Sequence, residues 1–206
     1  MVFVAGEPAL FLTSGERLWK KAVAAAALPP LAHPALHFTV ATFRRRGQPF
    51  DLDNLAKPVI ECLGGRPTTV WVTIQEGTRS GVEIADELPP PAPGDAMAVV
   101  VGSPRSRSVF PTVPMAEFAS LDRFGQPQEP LGLQIMFDSE TARISDFGFS
   151  GPIKPFIDGM ETVLGPSSHG PADHRIRELR ITKGNNPGGF GATVRIWLRS
   201  NDEARF

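Results

Sequence analysis

The string Lys57-Pro58-Val59-Ile60-Glu61 returns 97 residues later as Lys154-Pro155-Phe156-Ile157-Asp158. A lysine-proline pair, two large apolar residues and an acid four after the lysine are hard to obtain twice by chance. The same offset sets residues 1–4 on residues 98–101. It also sets Leu36, Phe38 and Val40 on Leu133, Ile135 and Phe137. Beyond the second string the offset grows: residues 72–77 match residues 179–184, an offset of 107. The second copy therefore carries ten more residues than the first between its helix and its next strand. Internal repeats of this kind decide the architecture before any single element does.

Each copy supports the same order of elements. A short strand comes first, at residues 2–5 or 98–102. In the first copy a helix follows, with Thr13 or Ser14 as cap, Glu16 closing a capping box from Thr13, and Leu18, Val23 and Leu28 as apolar positions. Its counterpart near residues 115–121 is shorter. Next comes a strand with period-two alternation, then the lysine-proline helix, which Pro58 and Pro155 should kink or shorten. Two strands close each copy, at residues 69–75 and 81–84, or 176–182 and 192–198. The Gly-Asn-Asn-Pro-Gly-Gly run at residues 184–189 has hairpin composition. The expected fold is α+β, built from two β-α-β-α-β-β halves. Residues 1–87 form the first half and residues 95–206 the second. The proline-rich run at residues 88–94 is a stiff, extended linker.

Composition narrows the function classes. The 206 residues are 41% hydrophobic and 21% charged, as expected of a folded chain with a real core. The longest apolar run, residues 22–32, is broken by Pro29 and Pro30, so no membrane span or membrane partner is expected. No basic leader precedes it. A single cysteine, Cys62, excludes an internal disulfide and a cysteine-based zinc site, and fits a reducing, cytoplasmic setting. Net charge is −1, which gives no global electrostatic reason to expect nucleic acid. Fourteen phenylalanines without a tyrosine point to aromatics used in the core. His33, His37, His169 and His174 have no metal-ligand spacing, and only His174 adjoins a candidate site.

The chemistry-bearing stretch is Arg44-Arg45-Arg46-Gly47-Gln48-Pro49-Phe50-Asp51-Leu52-Asp53-Asn54-Leu55-Ala56-Lys57. Aspartates two apart in extended chain share a face, so both carboxylates can reach one ion. Hard oxygen ligands of this type suit Mg²⁺ held together with a substrate phosphate. The helix N-terminus beside them favours an anion, and the three arginines can hold a phosphate backbone. The plainer alternative is that Asp53 caps the helix and the arginines form a solvated turn.

Asp-Leu-Asp-Asn-Leu-x-Lys, followed by an acid four after the lysine, closely resembles the RusA-type Holliday junction resolvases. The preceding basic run, and Ser14-Gly15-Glu16 leading into a helix with Trp19, resemble that family too. The likeness is strong over residues 1–63 and weaker over residues 95–198. There, residues 173–183 resemble the family's acidic loop and following strand. The resemblance implies a Mg²⁺-dependent, structure-specific DNA endonuclease acting on branched DNA. It also implies an intramolecular pseudo-dimer, one RusA-like half per family subunit. Carried over residue by residue, Asp51 and Asp53 are the motif aspartates, Lys57 the motif lysine and Glu61 the helix acid. At the equivalent positions the second copy has Gly148 and Ser150, but keeps Lys154, Asp158 and a third acid, Asp173. The first copy lacks the third acid. The implied catalytic residues are thus Asp51, Asp53, Lys57, Asp173 and Lys154, with Asp51, Asp53 and Asp173 on the metal. Arg44, Arg45, Arg46, Arg175, Arg177 and Arg180 are the DNA-binding candidates.

Neither copy holds a full acidic set. One consequence is degeneration into a non-catalytic protein that binds DNA or a protein partner. The other is a composite site, in which Asp51 and Asp53 meet Asp173 across the two halves. Family sites are expected to take their acids from one subunit, which speaks against the composite. A protein without any nucleic-acid function is the third possibility, favoured by the net charge.

Overall fold

The computed structural model describes residues 1–10, 12–41, 51–63, 67–102, 118, 121–137, 153–167, 170–183 and 191–199. Among them are ten strands: β1 (Val2–Ala5), β2 (Pro34–Ala41), β3 (Thr69–Gly77), β4 (Gly81–Asp86), β5 (Met97–Gly102), β6 (Leu131–Phe137), β7 (Pro166–Ser167), β8 (Gly170–Pro171), β9 (Ile176–Lys183) and β10 (Gly191–Leu198). The helices are α1 (Glu16–Ala25), α2 (Leu52–Ile60), α3 (Ile153–Asp158) and the single turn α4 (Glu161–Leu164). The fold is α+β, with an eight-stranded mixed sheet and few helices. No described helix is long and apolar enough to cross a membrane.

The sheet has the order β1-β4-β2-β3-β9-β6-β10-β5. Strand directions are the same counted from either edge. Going inward, the first two pairings on each side are antiparallel, the third is parallel, and the halves meet in the antiparallel β3–β9 ladder. The registers agree as well. Leu36 lies opposite Val72 in β2–β3, and Leu133 opposite Leu179 in β6–β9. Those are the partners that offsets of 97 and 107 require. At the sheet edges the agreement slips by two. Leu36 and Leu133 face Ile84 and Ile196, and these in turn face Val2 and Met97, not Val2 and Val99. An edge strand is paired on one side only, so little holds it to one register.

Alternation puts Leu36, Phe38, Val72, Ile74, Leu133, Ile135, Leu179, Ile181 and Val194 into one continuous core with Leu55 and Val59 of α2 and Phe156 and Ile157 of α3. Phe156 sits edge-on to both Phe118 and Phe137. The other sheet face carries a small Ala35–Trp71–Ala85 cluster and a buried polar network. The mostly exposed linker is held to that network by one bond, in which Arg180 Nη1 donates to the Pro90 carbonyl at 2.6 Å.

Three local expectations are corrected. Glu16 does not cap through Thr13; Gly15 is the N-cap, and the Glu16 carboxylate instead accepts from the Leu12 N–H at 2.7 Å. Asp53 is not the cap of α2, because Asp51 occupies that position. The two prolines differ in place: Pro155 falls in the first turn of α3, where no intrahelical N–H is needed, whereas Pro58 lies inside α2 and removes one ladder bond. The ten extra residues of the second half fall in the stretch that forms α4, the β7–β8 pair and a 3-10 turn, Asp173–Arg175.

Candidate metal centre

Asp51 leaves extended backbone (φ −79°, ψ 107°) and starts α2. Leu52 and Leu55, both buried, anchor that first turn in the core. Asp51 makes no side-chain cap bond to the backbone; its Oδ2 accepts from Asn54 Nδ2, in the first turn of the same helix, at 2.6 Å. Asp53, one residue into the helix, is 4% exposed. The positive end of the helix dipole favours an anion there.

Asp173 reaches the same place from the other half. β2 and β3 run parallel, and Ala41 is level with Gly77. The acids follow β2, so they lie at the end of β3, not at its start. β9 runs antiparallel to β3, with Thr73 opposite Glu178, and the start of β9 therefore lies at the end of β3. A residue just before β9 meets the start of α2; a residue just before β3 would sit at the opposite edge. Strand direction makes the composite arrangement possible. One carboxylate oxygen from each of Asp51, Asp53 and Asp173 falls within 4.8 Å of the others. Asp53 and Asp173 are buried and Asp51 is half-buried.

Three carboxylates this close, two of them buried, concentrate negative charge that a shared cation would stabilise. All the donors are hard oxygens, so the cluster can hold a metal ion of that preference.

Arg175 shares the 3-10 turn of Asp173 and anchors it. Its guanidinium is 3% exposed and donates to three carbonyls: Leu164 (2.6 Å), Phe124 (2.7 Å) and Glu129 (3.2 Å). The 3-10 turn is thereby tied to the end of α4 and to the 124–129 loop. Burial holds this guanidinium below its usual pKa, with Arg123 adding to the effect.

Lys57 lies one helical turn after Asp53 and is 7% exposed. Burial pushes its amine pKa down, opposed mainly by Glu61 and Glu16, with a smaller contribution from Asp53. Glu16 and Glu61 both bind Lys20, at 2.5 and 2.6 Å, which ties α1 to the end of α2. His174 is held below its ordinary pKa by burial and by Arg177 and Arg175, while Asp51 pulls the other way. Beside it, a cleft of about 270 Å³ is lined by His174, Arg177, Arg199 and Glu76.

The arginines named from sequence divide into three groups. Arg44, Arg45 and Arg46 lie outside the described residues. Arg177 lines the cleft. Arg175 and Arg180 are internal: Arg180 bonds Glu178 at 2.7 Å and stacks on Trp197. Lys154 lies in α3, and Gly148 and Ser150 are outside the described residues. Sequence reasoning passed over Asn54 and the inward role of Arg175. The Asp-x-x-Asn spacing at a helix start was a usable signal for Asn54. Nothing local marks an arginine that will point inward. No protein-family model matches the chain, and no curated protein matches it.

Proposed function

We propose that the chain is a Mg²⁺-dependent, structure-specific DNA endonuclease of RusA-like type, with two RusA-like halves fused into a pseudo-dimer that acts on branched DNA. The observation that carries this reading is the convergence of Asp51, Asp53 and Asp173 from different halves of one sheet. Chance capping would need only one of these acids, and none of the three would have to be buried. In the proposed site Asp51, Asp53 and Asp173 hold Mg²⁺, which when bound would activate water and stabilise the leaving oxygen of a phosphodiester. Lys57 neutralises charge developing on the phosphate, and Arg177 positions the flanking backbone from the adjoining cleft. The ammonium of Lys57, already part-desolvated, acts with more force there than it would in water.

A second reading is a non-catalytic binder of DNA or protein on the same scaffold. It is favoured by the inward placement of Arg175 and Arg180, which removes two cations from any DNA face. One experiment separates the two. Purified chain is incubated with a synthetic four-way junction and Mg²⁺. Incision that disappears in Asp53→Asn supports the nuclease. An intact junction under Mg²⁺ and Mn²⁺ overturns it, and salt-sensitive binding without incision then supports the binder.

A further inference from the structure

We infer that the cleft beside the metal centre is an anion subsite, in which Arg177 and Arg199 hold one backbone phosphate of the substrate strand next to the phosphate that is cut. The inference deepens the nucleic-acid reading above and rests on it. What it adds is a contact that needs no metal. The cleft encloses about 270 Å³, and its charged lining is Arg175, Arg177, Arg199 and Glu76. Three cations against one acid is a local excess in a chain whose net charge is −1. His174 joins this cleft to the acids, since its ring feels both the Arg177 guanidinium and the Asp51 carboxylate.

The excess is not neutralised from within. Arg175 is committed to three carbonyls. Arg177 is half-buried, and among the described residues its guanidinium makes no hydrogen bond or ion pair. Burial weighs against its charged form, Glu76 favours that form, and Arg199 opposes it. Arg199 Nη1 donates to the Arg177 carbonyl at 3.1 Å, which ties the end of β10 to the start of β9. Its Nε is shielded from water and has no hydrogen-bond partner among the described residues, the Glu178 carboxylate standing 3.4 Å off. Buried donors left without acceptors call for a bound group. A guanidinium fork meets phosphate with two parallel, charge-assisted bonds. The subsite takes one phosphate and not a run of them. Glu76 and Arg199 also border a larger cavity, of about 600 Å³, lined by Glu83 and Glu87, and those carboxylates repel a following phosphate. The other arginine of that cavity, Arg79, is stacked on Phe3.

The test uses the full chain, first in EDTA. Thermal melts are run with inorganic phosphate and with chloride at equal ionic strength. Phosphate should raise the melting temperature of the parent chain, and Arg177→Gln should lose most of that rise. Glu76→Gln, a change at an exposed position, removes the competing acid and should enlarge it. An equal rise in all three chains marks an adventitious ion only and overturns the inference. Binding of a four-way junction is then measured in the same buffer over a range of salt. The slope of log affinity against log salt should be about one smaller in Arg177→Gln than in the parent; an unchanged slope overturns the inference. Last, with Mg²⁺, single phosphates beside the cut are replaced by neutral methylphosphonates. At one position the replacement should raise KM about tenfold in the parent and leave Arg177→Gln indifferent, as expected of two groups that touch. Incision with no such position overturns the subsite and leaves the nuclease reading standing. A phosphate-dependent melt and a reduced slope without any incision uphold the subsite and overturn the nuclease reading.

Discussion

Val72 and Leu179 face one another across the antiparallel β3–β9 ladder, and they are also the residues that an offset of 107 makes equivalent. A ladder in which equivalent residues oppose each other is what a twofold axis through it would produce. The axis would pass beside the buried network on the polar face. There the Glu178 carboxylate accepts from Trp71 Nε1 at 2.9 Å and from Arg180 Nε at 2.7 Å, with Arg199 Nε at 3.4 Å.

Removing that carboxylate should cost more than any surface ion pair. Glu178→Ala leaves the buried Arg180 and the half-buried Arg199 without their shared anion, and breaking a buried pair from one side costs about 3–5 kcal/mol. Urea denaturation should show a loss of this size with an unchanged slope. A loss below about 1 kcal/mol would mean that the network does not hold the two halves together.

Arg175 supports a prediction that separates stability from metal affinity. Arg175→Lys retains the charge but cannot reach three carbonyls with one planar fork. Stability should fall by about 2 kcal/mol, since buried carbonyls lose their donors. Mn²⁺ affinity, read by calorimetry, should fall at least tenfold, because the turn that carries Asp173 is no longer pinned. Equal affinity in the variant and the parent would show that the turn holds Asp173 without Arg175.

Most of the strand plan was legible in the sequence, because β-structure announces itself through alternation and the two copies corroborate each other. The composite centre was not. Asp51, Asp53 and Asp173 were all identifiable as acids of interest, but their meeting depends on whether β2 and β3 run parallel and on how β9 joins β3. No local pattern encodes strand direction across 120 residues. The two-residue slip at the β1 and β5 edges was invisible for a related reason: short apolar strands match equally well at either register. Trp71 was equally opaque. Its neighbours suggest core, yet it faces the polar side, with its ring edge-on to His37 and its indole N–H on Glu178.

The three acids predict a linkage between metal and folding. Asp173→Asn removes one of the three carboxylate ligands, and without Mg²⁺ its melting temperature serves as the baseline for the metal response. With Mg²⁺ at ten times its dissociation constant, the parent chain should gain about 1.4 kcal/mol, and the variant nothing. Thermal melts with and without Mg²⁺ check this difference. Retention of Mg²⁺ stabilisation in Asp173→Asn would show that the ion is held by Asp51 and Asp53 alone.

His37 gives a pH dependence away from the metal centre. Its ring is edge-on to Trp71 and its Nδ1 lies 2.8 Å from Thr73 Oγ1. Burial holds its pKa below the ordinary 6.5, with Arg199 adding a little and Glu83, Glu87 and Glu178 opposing. The unfolded chain therefore binds the proton more readily than the folded one. Where the unfolded state holds more protons, stability rises with pH. The contribution is constant above the unfolded pKa and is lost as pH falls below about 6.5 toward the lower, folded value. His37→Gln retains a hydrogen-bonding side chain for Thr73 and cannot titrate. Denaturation midpoints measured between pH 7.5 and 5 should fall less steeply in this variant than in the parent chain. Parallel curves would assign the acid sensitivity to other groups.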